Sequence, residues 1–206
     1  MLHYQTIESQ TLELLNKLMQ VEEFKALRLV GGTSLALQIG HRQSIDLDLF
    51  GKLEVDEIEL SEILHKIGST TLLKKTKNIT IYLIDGIKVD IVNYPYKWLD
   101  EISTEDNIRL AGTRDIAAMK LAAITGRGTK KDFIDLFFLL QLYKLEEMLG
   151  FYNIKYYDAS EILVLKSLTY FDDADAEEDL KMLKIINWTK VKDVITKHLK
   201  QYLNDL

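Results

Sequence analysis

Residues 45–50 alternate one by one, with Ile45, Leu47 and Leu49 apolar and Asp46 and Asp48 acidic. A period of two is the signature of a β-strand, whose successive side chains leave opposite faces. A strand here has one apolar face to bury and sets two carboxylates side by side on the other. Like charges this close repel, and one carboxyl is driven to keep its proton unless a cation sits between them. The expected sheet therefore has one packed face, and its acidic face either meets solvent on an edge strand or holds a cation.

The flanking patterns supply the rest of the sheet. Leu27–Val30 is a short apolar run ending at Gly31-Gly32, and Thr33–Ile39 reads as a short helix stopped by Gly40. Before it, Thr6–Phe24 spaces Ile7, Leu12, Leu15, Leu18 and Met19 as one amphipathic helix. Asp56–Ile67 reads as another, bounded by Gly68. Ile79–Ile84 and Ile87–Asn93 are rich in β-formers and are joined by Asp85-Gly86, the strongest short-range hairpin signal. Pro95, the sole proline, closes the second run and marks the expected boundary between a domain at 1–97 and one at 98–206. Beyond it the periodicity is helical, over Thr113–Thr125, Thr129–Met148, Ser160–Tyr170, Ala176–Ile186 and Thr189–Leu203. The expected fold class is α+β, a mixed sheet with helices followed by an all-α helical C-terminal domain.

Bulk properties exclude several function classes. With 206 residues, 47% of them hydrophobic, the chain can bury real cores without staples. It has no cysteine, which rules out disulfides, zinc–thiolate sites and thiol nucleophiles and fits a reducing compartment. Met1–Gln10 lacks an apolar signal core. No apolar run reaches the roughly 18 residues of a membrane span. The expectation is a cytoplasmic protein with no membrane partner. A net charge of −6 argues against non-specific coating of nucleic acid. Lys74, Lys75 and Lys77 form a small basic patch that can meet RNA phosphates, although a solvated loop explains it more simply. His3, His41, His65 and His198 show no metal-ligand spacing, and the acidic run from Asp172 to Asp179 lacks the glycine and spacing of a calcium loop.

Three features in chain order carry chemistry: Gly31-Gly32-Thr33-Ser34 between a strand and a helix, Asp46-Leu47-Asp48, and Lys88-Val89-Asp90. Paired glycines let the backbone approach a ligand, and amides that open a helix suit a phosphate. Thr33 and Ser34 add hydroxyls, though a helix N-cap beside a tight turn accounts for the same residues. Magnesium prefers oxygen ligands, and metals bridged by carboxylates can hold both the attacking and the leaving oxygens of a phosphoryl displacement. If Asp90 pairs beside Asp48, it supplies a third carboxylate. Arg42, just before the acidic strand, either neutralises a carboxylate or reaches a phosphate.

This ordered set resembles the minimal nucleotidyltransferase fold of the polymerase-beta type, and more closely the nucleotidyl transferase AbiEii/AbiGii toxin family. The likeness rests on Gly31-Gly32-Thr33-Ser34, on His41-Arg42-Gln43-Ser44 leading into Asp46-Leu47-Asp48-Leu49-Phe50, and on Lys88-Val89-Asp90. It continues in Asp115 with Lys120 five residues later, in Lys131-Asp132-Phe133-Ile134-Asp135-Leu136, and in the segment from Leu168 to Ala174. It implies a nucleotide-binding N-terminal domain, a helical C-terminal domain and a site between them. It also implies transfer of a nucleoside monophosphate from a nucleoside triphosphate to an acceptor. Members are toxins of toxin–antitoxin or phage-defence systems, and some act on the acceptor end of transfer RNA. The implied partners are a nucleoside triphosphate, transfer RNA or another RNA, and a cognate antitoxin.

By the same likeness Asp46 and Asp48 hold magnesium, with manganese as a substitute, and Asp90 completes the metal site or helps deprotonate the acceptor. Gly31, Gly32, Thr33 and Ser34 hold the triphosphate, and Lys120 contacts the nucleotide. Arg42, Arg127 and Asp132 complete the expected nucleotide-binding set. Lys120 and Arg127 are seven apart and share a face if the helix continues past Gly126 and Gly128, and two such cations would stabilise the charge on a transferring phosphate. Asp132 and Asp135 share a helical face and either orient these cations or fix an interface. Asp115, near a helix start, reads as a cap or orienting residue. Two other classes compete with the transferase acting on RNA. One is a non-catalytic nucleotide sensor or partner-binding module, and the other is an enzyme that attaches AMP to a protein.

Overall fold

In the computed structural model, which describes residues 1–205, the apolar alternations of the first half converge on one mixed sheet. Its strands are β1 (Leu27–Leu29), β2 (Leu47–Gly51), β3 (Thr70–Lys75), β4 (Ile79–Ile84), β5 (Ile87–Asn93), β6 (Ser103–Glu105) and β7 (Ile108–Leu110). They lie in the order β3-β4-β5-β2-β1-β7-β6. The pairs β1–β2, β3–β4, β4–β5 and β6–β7 are antiparallel, whereas β2–β5 and β1–β7 are parallel. Leu27, Leu29, Leu47, Leu49, Val89 and Ile91 form the buried face. The helices α1 (Ser9–Met19) and α3 (Glu57–Ile67) send Leu14, Leu15, Leu18, Leu60 and Leu64 into that core. Each fully buried leucine contributes about 1.5–3 kcal/mol relative to exposure.

The Asp85-Gly86 hairpin forms as its chemistry asks, with φ of 48° and 84° at the two turn residues. Four features differ from the sequence expectation. The N-terminal helix is α1 flanked by 3-10 turns at Tyr4–Thr6 and Glu22–Phe24, because Val21 adopts an extended backbone. β2 begins at Leu47, leaving Asp46 ahead of it and Ile45 exposed. Ser44 N–H donates to the Thr6 carbonyl and the Thr33 hydroxyl to the Asp46 carbonyl, which draws this lead-in off the ladder. The basic stretch at Lys74 and Lys75 belongs to the edge strand β3, whose register shifts between Leu72 and Lys74. A second hairpin, β6–β7, turns through Asp106 and Asn107 at φ of 49° and 64°.

The chain divides into two compact units, and the division is not a single cut. The first unit holds Met1–Pro95 and Ile102–Ala111; the second holds Tyr96–Glu101 and the remainder from Gly112. The chain thus leaves the sheet at Pro95 and comes back for β6 and β7.

The second unit is helical: α4 (Thr113–Gly126), α5 (Lys130–Leu139), α6 (Leu145–Lys155), α7 (Glu161–Ser167), the one-turn α8 (Asp172–Asp175) and α9 (Trp188–Asn204). The run expected as one helix over Thr129–Met148 is broken between α5 and α6. There the Tyr143 hydroxyl pairs with that of Thr113, and Glu147 accepts from the Lys144 N–H to start α6. The stretch at Ala176–Ile186 is not helical, despite good propensity. Glu177 instead accepts from the Lys130 backbone N–H, while the Lys130 ammonium reaches the Glu177 carbonyl and Asp179. α9 is amphipathic and buries Val191, Ile195 and Leu199 at steps of four.

Asp115 lies fully buried in α4 and accepts the backbone N–H groups of Leu99 and Asp100 at 3.0 Å each. The Lys155 ammonium sits 2.6 Å from the same carboxylate, donates to the Lys97 carbonyl and lies 4.5 Å from the Trp98 ring centre. Asp115 is thus a cap for the Tyr96–Glu101 strap rather than for its own helix. No helix of the described residues is long and apolar enough to cross a membrane.

Candidate active site

β2 and β5 run parallel with Asp48 opposite Asp90. Register partners share a sheet face, so both carboxylates leave the side opposite Leu47, Leu49, Val89 and Ile91. Asp46 precedes Asp48 by two residues and is half-buried. Lys88 shares the face of Asp90, and its Nζ lies 2.5 Å from Asp90 Oδ1. Arg28, opposite Phe50 on β1, joins the same face and is buried.

Gly31 opens α2 (Gly31–Ile39) with φ of +67°, in the left-handed region that disfavours other residues. A Cβ built on it would overlap the Asp48 carboxylate. The missing side chain is therefore what lets the turn pass directly beside the acid. Val30 N–H donates to the Asp48 carbonyl at 2.9 Å and ties the entry of the turn to β2. The carboxylate also sits at the positive end of α2.

The neighbouring hydroxyls point inward. Thr33 is buried, and its hydroxyl donates to the Asp46 carbonyl and lies 2.8 Å from that of Ser44. Ser34 is also buried and accepts from Gln38 Nε2 at 3.1 Å. The Thr33 bonds tie α2 to the segment that carries the acids, the Ser34 contact stays within α2, and Gly31 and Gly32 are only part-buried. Arg42 is buried, and its Nη1 donates to the Gln43 carbonyl at 2.9 Å.

Among the described residues no group of three or more acidic or histidine side chains stands close enough to hold a metal ion. The donor chemistry still suits a hard divalent cation, since Asp46 and Asp48 are carboxylates two residues apart and Gly31 sets no side chain against Asp48. Asp90 faces the same side with its carboxylate held by Lys88.

Within the second unit, the sequence-derived residues gather around one another. Lys120 is buried with its Nζ 2.9 Å from Asp132 Oδ1 and 2.6 Å from Asp135 Oδ2. α4 ends at Gly126, so Lys120 and Arg127 do not extend one helical face, yet they converge on one carboxylate. Arg127 Nε donates to Asp132 Oδ2 at 2.9 Å and Nη2 to Oδ1 at 3.2 Å. The Thr129 hydroxyl adds a bond at 2.6 Å. Burial alone would raise the Asp132 pKa, but the Lys120 charge, then Arg127 and Thr129, outweigh it and hold this carboxyl well below the usual range.

Two members of the acidic face have no role in the sequence-derived set, Arg28 and Lys88, the latter quoted only as a neighbour of Asp90. Both were legible in principle. Arg28 alternates with Leu27 and Leu29, and Lys88 stands two residues from Asp90, so strand period alone puts each on the face of the acids.

A family model described as "Nucleotidyl transferase AbiEii toxin, Type IV TA system" matches residues 13–201. An uncharacterized protein of Aquifex aeolicus is 36% identical over 185 residues, covering 86% of this chain and 88% of that relative. Among solved structures, JHP933 from Helicobacter pylori is similar at a TM-score of 0.55 and 18% identity, with 97% of each chain covered. A second is MenT4, a nucleotidyltransferase toxin from Mycobacterium tuberculosis, at a TM-score of 0.60 and 15% identity, covering 94% of this chain and 81% of that one.

Proposed function

The chain belongs to the nucleotidyl transferase AbiEii toxin family, and from that premise we propose that it is a magnesium-dependent enzyme that transfers a nucleoside monophosphate from a triphosphate onto RNA, with the 3′ end of transfer RNA as acceptor. A nucleotidyltransferase of this toxin family has a nucleoside triphosphate as substrate. A cytoplasmic location and a cognate antitoxin as partner complete the proposal.

One observation carries it: Asp48 and Asp90 stand in register on a single sheet face, beside a glycine turn that leaves room at the Asp48 carboxylate. Asp46 and Asp48 are the residues that would hold magnesium, or manganese in its place. When bound, the metal neutralises charge on the triphosphate and on the departing pyrophosphate. The backbone of Gly31 and Gly32 cradles the phosphates at the start of α2. The acceptor hydroxyl oxygen forms the new bond to the α-phosphorus as the bond to pyrophosphate breaks, and the hydroxyl proton passes to Asp90 or, where Asp90 completes the metal site, to water. Positioning and charge stabilisation supply most of the rate, since no covalent enzyme intermediate is needed.

Labelled triphosphates incubated with the protein and total RNA, with and without magnesium, test this directly. Label should enter RNA only with the metal, and Asp46→Asn or Asp48→Asn should lower incorporation by about 100-fold or more while the unfolding transition stays cooperative. Full activity in both variants overturns the assignment. Label recovered in protein instead marks an AMP-transferring enzyme, and nucleotide retained unchanged marks a sensor.

A further inference from the structure

On the acidic face one contact is built entirely within the protein. Lys88 Nζ lies 2.5 Å from Asp90 Oδ1, with the lysine side chain 39% and the aspartate 18% exposed. The β4 residues opposite this pair are Leu83 and Ile81. On that side the ammonium first meets apolar neighbours, with Lys74 of β3 opposite Ile81 beyond them, and the other acids of the face lie toward β2. There Asp48 stands opposite Asp90, and Asp46 precedes the strand in the lead-in that leaves the ladder. A monovalent charge carried on a side chain thus occupies the place where a third carboxylate would meet a cation. This agrees with the absence of any three-acid group among the described residues.

We propose that Lys88 is a positioning residue, an internal counter-ion that competes with the divalent cation for Asp90 and is released toward the triphosphate when the cation takes its place. The inference rests on the metal-dependent reading above. Before substrate arrives, the ammonium offsets mutual repulsion of the acids. Once Asp90 turns to the cation, the freed ammonium shares a sheet face with the site and carries the charge that a phosphate needs. Because binding free energies are linked, whatever draws Lys88 away from Asp90 must tighten the metal, and the metal must in turn tighten whatever Lys88 meets next.

Manganese, followed by the paramagnetic signal of the free ion, serves as the probe on the full chain without nucleotide. The variants are Lys88→Met, Lys88→Arg, Asp90→Asn, the Lys88→Met/Asp90→Asn double and Asp48→Asn. Lys88→Met should bind manganese about 2- to 5-fold more tightly than the wild type, the value of a part-exposed ion pair. Lys88→Arg should stay near the wild type, and the double variant should show no gain over Asp90→Asn alone. In a separate titration with calcium and a non-hydrolysable triphosphate, Lys88→Met should bind the triphosphate more weakly. Equal or weaker manganese binding by Lys88→Met overturns the proposal, and so does a gain that persists without Asp90. If Asp48→Asn weakens manganese while Lys88→Met fails to strengthen it, only this inference falls. If Asp48→Asn leaves manganese binding unchanged, the metal-site reading falls with it.

Discussion

On the sheet face of the first unit, Asp90 and Lys88 keep part of their surface in water; inside the second, Lys120 is 5% exposed and Asp132 and Asp135 not at all. Both places pair lysines with aspartates. In the buried cluster two carboxylates meet Lys120, Arg127 and a threonine hydroxyl, so the protein itself satisfies nearly every oxygen. On the sheet face the acids stand beside a turn cleared of side chains. The difference teaches that the same residue types can sit in two environments: one cluster is dry and densely paired, the other half-wet and bordered by a glycine turn. Sequence spacing sees only the residue types, which are the same in both.

The contrast breaks first at Lys120. Replacing it with methionine leaves two buried carboxylates against one partly exposed arginine and should cost about 3–5 kcal/mol. For a chain of this size that is a fall in Tm of about 2–4 °C per kcal/mol, readable by calorimetry. A smaller loss would mean the cluster is wetter than its burial indicates. Acid tests the same cluster without mutation. The folded pKa of Asp132 is depressed, so its contribution is fully present well above the unfolded value of about 3.9 and is lost as pH falls through that value toward the folded one. Between pH 7 and pH 3 the wild type should therefore lose more stability to denaturant titration than Asp132→Asn does.

Gly31→Ala probes the sheet face. The left-handed backbone costs about 1–2 kcal/mol for a residue with a Cβ, and the added atom also displaces the Asp48 carboxylate. Transfer activity should drop further than the stability change explains. Arg127→Gln sharpens the buried side of the comparison: with the arginine side chain 58% exposed, its loss should cost only about 1 kcal/mol. Lys88→Ala should have the smallest effect on folding, below about 1 kcal/mol by chemical denaturation, even as it alters metal affinity.

The acidic strand, the glycine turn and the first hairpin were legible because each rests on local chemistry. Alternation marks β2, and Asp85-Gly86 fits positive φ at both turn positions. The Asp106-Asn107 hairpin uses the same left-handed chemistry, but each flanking strand is three residues long, too short for alternation to register. β3 hid because its register shift disturbs the period between Leu72 and Lys74. The Ala176–Ile186 stretch has the composition of a helix and fails to be one because tertiary contacts to Lys130 claim Glu177 and Asp179. At the site, the spacing of Lys120 and Arg127 suggested two cations aimed at one ligand; they do share a target, and it is Asp132.

The return of the chain at Ile102–Ala111 bears on how such a molecule can be altered by inheritance. β7 flanks β1, the strand that delivers Gly31, and Leu29 pairs with Leu110. Genetic exchange at one breakpoint after Pro95 would hand the first unit to a new neighbour without two of its own strands, leaving β1 as a raw margin. Shuffling the helical half for another therefore needs three crossovers, one after Pro95 and one at each end of the Ile102–Ala111 insert, which favours transmission of the whole gene as an undivided block.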